Sequence, residues 1–151
     1  MINILDKGGY INSFKMRVTN QSHIEHAGFA IVKQNSISEF TIRDFAHADS
    51  LGILGSASSL FIPKELSIAL IRVCIHNDLV PMVLHSHTLE SIVENDLSFS
   101  IEDMSFIRRF AKVAVNFKLT SPLFFYLTEG INDFVYAANA YNCTNQIKIL
   151  R

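Results

Sequence analysis

Two histidines at the end of an apolar run are the residues best placed to do chemistry. His85 and His87 directly follow the run 79–84, which is short and rich in Val and Leu and so predicts a buried strand. Side chains alternate along a strand, so both imidazoles are predicted to point the same way. Asp103 follows where a helix is predicted to begin. Catalytic zinc typically takes three protein ligands and keeps one position for water, and His85, His87 and Asp103 supply such a set.

Two further short patterns flank the histidines in the sequence. E-x-x-G begins at Glu25, and S-x-x-D begins at Ser100 and ends at Asp103. Together with H-S-H at residues 85–87, they resemble the pattern of the JAMM/MPN+ zinc metallopeptidases, also called the JAB domain family. The resemblance covers the order of elements from about residue 25 to about residue 136.

The resemblance implies a role for each of these residues. In that family two histidines and an aspartate bind zinc, so His85, His87 and Asp103 are the implied ligands. Glu25 is the implied general acid and base, and Ser100 is the residue implied to help hold the oxyanion. The implied fold is an α/β domain of the JAB/MPN type, with a mixed β-sheet flanked by helices. The predicted order of strands and helices agrees with that fold class.

The sequence departs from that family at two places. Thr88 follows the second histidine, where the family usually has proline, and the segment from His87 to Ser100 is longer than the common spacing. The longer segment leaves Asp96 as the alternative carboxylate ligand. The stretch from Thr88 to Phe99 is predicted to pack on its own domain, and a lid or a docking surface is the alternative.

Each of these residues also has an ordinary structural explanation. The pattern S-x-x-D before an apolar periodic run is a common helix start, in which Ser100 caps the helix and Asp103 lies in its first turn. Glu25 can be a solvated residue at the end of a strand, although a carboxylate beside a buried run otherwise needs a partner. The H-S-H motif upstream of Asp103 is what favours the metal site over both explanations.

Length and composition are those of one folded unit. The chain has 151 residues, which is enough for one domain spanning 1–151 and its core. Hydrophobic residues make up 49% and charged residues 18%, a balance that favours folding over disorder. A formal net charge of -1 gives no basic footprint for nucleic acid or for an anionic membrane, so neither is expected as a partner.

The cysteines and the N-terminus indicate the compartment. Cys74 and Cys143 lie far apart, and we expect both to be reduced thiols of a cytosolic protein. The first residues lack a basic region followed by an apolar run, and no stretch approaches the roughly 20 apolar residues of a membrane span. We therefore expect a cytoplasmic protein without a membrane partner.

Periodicity and turn residues predict the remaining elements. Helices are predicted over 63–77 and 100–117, each with an apolar stripe at helical spacing. Residues 49–59, rich in Gly and Ser, are predicted to form a mobile loop. Strands are predicted at 14–18, 23–32, 40–46, 79–85, 123–127, 134–138 and 146–150.

The residues and the resemblance together predict a zinc peptidase. A stand-alone JAB domain resembles the prokaryotic branch of the family, whose wider membership often removes ubiquitin or ubiquitin-like proteins from lysines or trims their C-terminal tails. We expect an enzyme that deconjugates or matures a ubiquitin-like protein by cleaving isopeptide or peptide bonds. The alternatives are a peptidase that processes a sulfur-carrier protein of the ubiquitin fold, and an inactive MPN-type scaffold. The sequence sets neither the protein substrate nor the oligomeric state.

Overall fold

The computed structural model describes residues 1–56, 61–88, 99–138 and 147–151. The helices are α1 (Tyr10–Asn20), α2 (Lys64–Asn77) and α3 (Ile101–Asn116), with one short 3₁₀ turn at Ala48–Leu51. The strands are β1 (Ile2–Leu5), β2 (Ala27–Gln34), β3 (Glu39–His47), β4 (Val80–Ser86), β5 (Leu123–Thr128), β6 (Asp133–Ala138) and β7 (Ile147–Leu150).

Among the described residues the strands form one mixed sheet in the order β6-β5-β4-β2-β3-β1-β7. β2 runs antiparallel to both β3 and β4, whereas β4 and β5 are parallel. Parallel neighbours need a long crossover, and α3 lies in the connection between β4 and β5. The edge strands β6 and β7 contact each other, so the sheet is nearly closed into a barrel.

Helices pack on both faces of this sheet. On one face α1 buries Ile11, Phe14 and Val18 in a core shared with the strands. On the other face α2 and α3 bury Ile71 and Phe110 among a second set of strand residues. Full burial of one such side chain contributes about 1.5–3 kcal/mol, so each helix is held mainly by its apolar stripe. The predicted mixed sheet flanked by helices is therefore confirmed at the level of the α/β class.

The prediction of a strand at 14–18 is wrong, because these residues belong to α1. The apolar residues Ile11, Phe14 and Val18 recur at spacings of three and four, which is the helix period, while the shorter stretch alone alternates as a strand does. The helix start is held by Asp6, whose two carboxylate oxygens accept hydrogen bonds from the first two amides of α1, both at 2.9 Å.

The strand predicted at 23–32 begins later than expected, at Ala27. Glu25 precedes β2 and its amide donates to the carbonyl of Ser56 at 2.8 Å, not to a neighbouring strand. The predicted loop 49–59 also differs, since its first residues belong to the 3₁₀ turn and residues 57–60 lie outside the described part. The remaining predicted strands and both predicted helices are present, within one or two residues of their expected ends.

Two further predictions meet the structure in part. Cys74 is buried and free, and burial raises the pKa of its thiol to about 12, so it is unreactive at neutral pH. Cys143 lies outside the described residues. Within the described ranges no helix is both long and apolar enough to cross a bilayer.

Candidate metal centre

Strand β4 carries the two histidines to the edge of the sheet. His85 lies near its end, paired with Ala27 of β2 on one side and Leu127 of β5 on the other. His87 follows directly after the last strand residue, and its amide still donates to β5 at 3.0 Å. The two rings lie on the same face of the sheet, with centroids 5.2 Å apart. The alternation of side chains along a strand accounts for this placement.

The third residue, Asp103, is placed by the first turn of α3. Ser100 is the N-cap, and its Oγ accepts a hydrogen bond from the amide of Asp103 at 3.1 Å. Asp103 Oδ2 in turn accepts from the amide of Ser100 at 2.9 Å, which completes a capping box. This cap fixes the carboxylate at the start of the helix that follows the histidine strand.

Asp103 lies between the two imidazoles. Its Oδ1 is 3.1 Å from His85 Nε2, and its Oδ2 is 2.8 Å from His87 Nε2. The three side chains are 12–17% exposed, so they are largely buried but still in contact with solvent. Among the described residues, these three form the group of His, Cys, Asp and Glu whose ligand atoms are close enough to share one metal ion.

Charge and burial compete at this carboxylate. Burial alone would raise the pKa of Asp103, but the hydrogen bonds from His85 and His87 outweigh it and hold that pKa well below its usual range. Burial alone would lower the pKa of His85, but the bond to Asp103 and the charge of Glu25 outweigh it and raise that pKa. Asp103 is therefore ionised, and His85 holds its second proton more tightly than a free histidine.

Glu25 lies beside His85. Its Oε2 is 3.9 Å from His85 Nε2, and its side chain is 15% exposed. Burial raises the pKa of Glu25, although the nearby histidines oppose this. A carboxylate with a raised pKa that stands beside a candidate metal site, without filling a ligand position, has the properties of a proton acceptor.

Ser100 keeps its hydroxyl hydrogen while it caps α3. Its Oγ uses a lone pair to accept from the Asp103 amide, and a hydroxyl that accepts in this way still has its own hydrogen to donate. The side chain is partly buried and stands one helical turn from the ligand carboxylate. The capping role and the role implied by the resemblance are therefore compatible in one residue.

The structure adds one contact that the sequence does not reveal. The main-chain carbonyl of His26 lies 3.2 Å from His85 Nδ1, so that nitrogen is the donor and Nε2 faces Asp103. The imidazole of His26 is on the opposite face, where it meets His47. His23 is exposed and has no described contact with Glu25. Sequence reasoning missed the contact between the His26 carbonyl and His85, because a main-chain partner leaves no signal in the residue types.

Two other residues whose types could bind a metal stay apart from the centre. His47 ends β3 and Asp49 lies in the 3₁₀ turn, where the His47 Nδ1 and Asp49 Oδ1 atoms are 2.9 Å apart. The alternative ligand Asp96 and most of the 88–99 segment lie outside the described residues.

The donor set fits a divalent metal ion. Two imidazole nitrogens and one carboxylate oxygen suit several first-row metals, and the lowered pKa of Asp103 keeps that ligand ionised. The carbonyl of His26 supplies the outer hydrogen bond that metal-binding histidines commonly make through their other nitrogen. His85, His87 and Asp103 can therefore bind a metal ion, and the geometry does not select which one.

No model of a known protein family matches this chain, and no curated protein matches it.

Proposed function

We propose that this protein is a zinc-dependent peptidase of the JAMM type. The observation that carries the proposal is that His85, His87 and Asp103 lie together. Glu25 stands beside them, with its Oε2 3.9 Å from His85 Nε2. Two histidines and a carboxylate are a set found in catalytic zinc sites. The ligand atoms of the three residues lie within 4.8 Å of one another, which is close enough for all three to bind one ion.

In this proposal each of the five site residues has a defined role. His85, His87 and Asp103 hold the zinc, which when bound lowers the pKa of a coordinated water from 15.7 to about 7. Glu25 accepts the proton of the attacking water and returns it to the leaving amine, work that contributes about 10²–10⁴-fold to the rate. Ser100 donates its hydroxyl hydrogen to the oxyanion of the tetrahedral intermediate.

The substrate in this proposal is a ubiquitin-like protein, joined to a lysine or extended at its C-terminus. This choice of substrate is supported by the motif resemblance. E-x-x-G, H-S-H and S-x-x-D follow one another along this chain in the order found in that family. The second candidate is a peptidase for a sulfur-carrier protein of the ubiquitin fold, and the neighbouring genes distinguish the two. Genes for enzymes that activate and transfer ubiquitin-like proteins favour deconjugation, whereas sulfur-transfer genes favour the second candidate.

Exchange of Glu25 for glutamine tests the proposed chemistry. Glu25→Gln is nearly isosteric and removes the ability to accept a proton, so zinc content and fold should be kept while turnover falls by about 10²–10⁴-fold. The measurement is zinc content together with cleavage of a ubiquitin-like protein fused to a C-terminal extension, alongside a lysine-linked conjugate.

The control is Glu65→Gln, because Glu65 is an exposed carboxylate of α2 and is not among the charges that shift the pKa of Glu25. It makes the same chemical change away from the site and should leave turnover within about twofold, since screened surface charges contribute little. Loss of zinc in Glu25→Gln would make Glu25 a ligand. Near-normal turnover with zinc retained would remove Glu25 as the base and favour the inactive scaffold or another reaction.

A further inference from the structure

Ser86 lies between the two candidate ligands and points away from them. It is the last residue of β4 and is fully buried, on the face of the sheet opposite His85 and His87. Its Oγ accepts a hydrogen bond from the amide of His26 at 2.7 Å. A buried hydroxyl in a core normally needs such a partner, so the bond alone assigns no function.

The same two residues are joined a second time through the main chain. The amide of Ser86 donates to the carbonyl of His26 at 2.9 Å, and that carbonyl also receives His85 Nδ1 at 3.2 Å. Ser86 thus holds both the amide and the carbonyl of the residue that orients a candidate ligand. We call this double connection the Ser86–His26 clamp.

The clamp is also held from the side of His26. The His26 imidazole is 3% exposed, its Nε2 lies 2.9 Å from the carbonyl of Gln21, and its Nδ1 lies 3.3 Å from His47 Nε2. With its side chain and main chain both engaged, His26 has little freedom to move its carbonyl. A fixed carbonyl fixes the proton of His85 on Nδ1 and so leaves Nε2 for a metal.

The clamp reaches Glu25 as well. Glu25 directly precedes His26, before β2 begins, and its own amide is held by the carbonyl of Ser56 and not by a strand. A tether at the next residue therefore limits how far the Glu25 carboxylate can move from His85, where it now stands at 3.9 Å.

We propose that Ser86 is a positioning residue of the metal centre, acting through His26 to orient His85 and to keep Glu25 beside it. The inference rests on the proposed function for the role of Glu25, and on the metal centre alone for the role of His85. It makes the central residue of H-S-H part of the site, although its side chain lies on the other face of the sheet.

The sharp test compares Ser86→Thr with Ser86→Val. The two replacements have the same shape and differ in the hydroxyl, so any crowding of the buried site is common to both. Removing an outer partner of a metal ligand typically costs 10–100-fold in metal affinity or activity. Because Ser86→Val loosens the His26 carbonyl without removing it, we expect Ser86→Thr to bind zinc up to about tenfold more tightly than Ser86→Val, in competition with a chelating dye. The visible spectrum of the cobalt-substituted protein should change in Ser86→Val and be restored in Ser86→Thr.

Thr128→Val is the matched control. Thr128 pairs with Ser86 across the sheet, is equally buried, and its hydroxyl bonds to the carbonyl of Asn132 and the amide of Gly130. Its contact with the amide of His87 is made by its main-chain carbonyl, which the valine variant keeps. Loss of the Thr128 hydroxyl should lower the melting temperature without changing zinc affinity or the cobalt spectrum. If neither replacement of Ser86 folds, Ser86→Ala takes their place against the same control, because alanine cannot crowd the site.

The proposal would be overturned if Ser86→Thr and Ser86→Val had equal zinc affinity and equal cobalt spectra. The same result for Ser86→Ala and the wild type would also overturn it. A wild-type protein that binds no metal would overturn it together with the metal centre. A wild-type protein that binds zinc but cleaves no ubiquitin-like substrate would contradict the proposed function, while the role of Ser86 at His85 would still be decided by zinc affinity.

Discussion

At the scale of single residues, one carboxylate has two tasks. Asp103 accepts the hydrogen bond from the Ser100 amide that completes the helix cap, and it also contacts both imidazoles. One nitrogen of His85 faces a carbonyl and the other faces Asp103, so in the metal-free protein both nitrogens meet an acceptor and the doubly protonated ring is favoured. A metal ion must replace the proton on His85 Nε2, so metal and proton compete for the same atom.

That competition predicts how metal affinity depends on pH. Because the pKa of His85 is raised, the metal-free protein stays protonated there to a higher pH than a free histidine does. Below that pKa, zinc affinity should fall by at least about tenfold per pH unit, because the proton on His85 must be displaced, and above it the affinity should level off. Asp103 adds no slope near neutral pH because its pKa is lowered. Zinc titrations in competition with a chelator, at several pH values between about 5 and 8, measure the slope.

An affinity that is constant through this range would contradict the proton competition. Buffers without metal affinity and a fixed ionic strength keep the comparison to protons alone, because exposed charges are screened by salt.

At the scale of elements, the centre forms where a strand ends and a helix begins. β4 and β5 are parallel, and the connection between them brings the start of α3 against the end of β4. The N-terminus of a helix favours a negative charge, so an aspartate in the first turn is stabilised there before any metal is present. The same turn places Ser100 and Asp103 together.

Replacements of Ser100 separate the cap from the proposed catalysis. Ser100→Ala should lower the free energy of unfolding by about 0.5–2 kcal/mol through loss of the N-cap, and turnover by about 10²–10³-fold through loss of a donor to the oxyanion. Ser100→Asp keeps a good cap but has no hydroxyl hydrogen, so it should recover the stability and not the turnover. Denaturant unfolding and the cleavage assay are measured on the same preparations.

Recovery of turnover in Ser100→Asp would assign Ser100 to the helix cap alone. Loss of turnover without any loss of stability in Ser100→Ala would show that the cap is held by other groups.

The sequence predicts those parts of this arrangement that follow local rules. The placement of His85 and His87 on one face follows from strand alternation, and the start of α3 follows from the capping pattern at Ser100. Residues 14–18 misled the prediction because a short amphipathic stretch satisfies both periods. The longer window that includes Ile11, together with the local cap at Asp6, distinguishes the helix from a strand. The carbonyl of His26 reaches His85 across 59 positions of sequence, and no local rule predicts such a main-chain contact.

At the scale of the whole molecule, the centre joins distant parts of the chain. Residues from the turn before β2, the end of β4 and the start of α3 meet on one face of the sheet. An ion bound to such a set stabilises the folded state relative to the unfolded state, because the unfolded chain does not hold the ligands together.

Zinc should therefore raise the melting temperature of the protein. At a free zinc concentration of 100 times the dissociation constant the added stability is about 2.7 kcal/mol, which corresponds to a shift of about 5–10 °C for a domain of this size. Thermal unfolding with and without zinc measures it in the wild type and in the double variant His85→Ala/His87→Ala, which should show no shift. His76→Ala removes an exposed histidine of α2 and should keep the full shift.

The central claim is that His85, His87 and Asp103 together bind one metal ion. Its most direct test is the metal content of the purified protein, determined by elemental analysis after equilibration with zinc and removal of loosely bound ions. The expected result is one zinc per chain in the wild type and in Asp49→Ala, a control carboxylate outside the centre, and almost none in Asp103→Ala. Normal zinc content in Asp103→Ala, with loss of zinc in Asp96→Ala, would contradict the assignment and make Asp96 the ligand; a wild type without zinc or any other metal would contradict the metal centre itself.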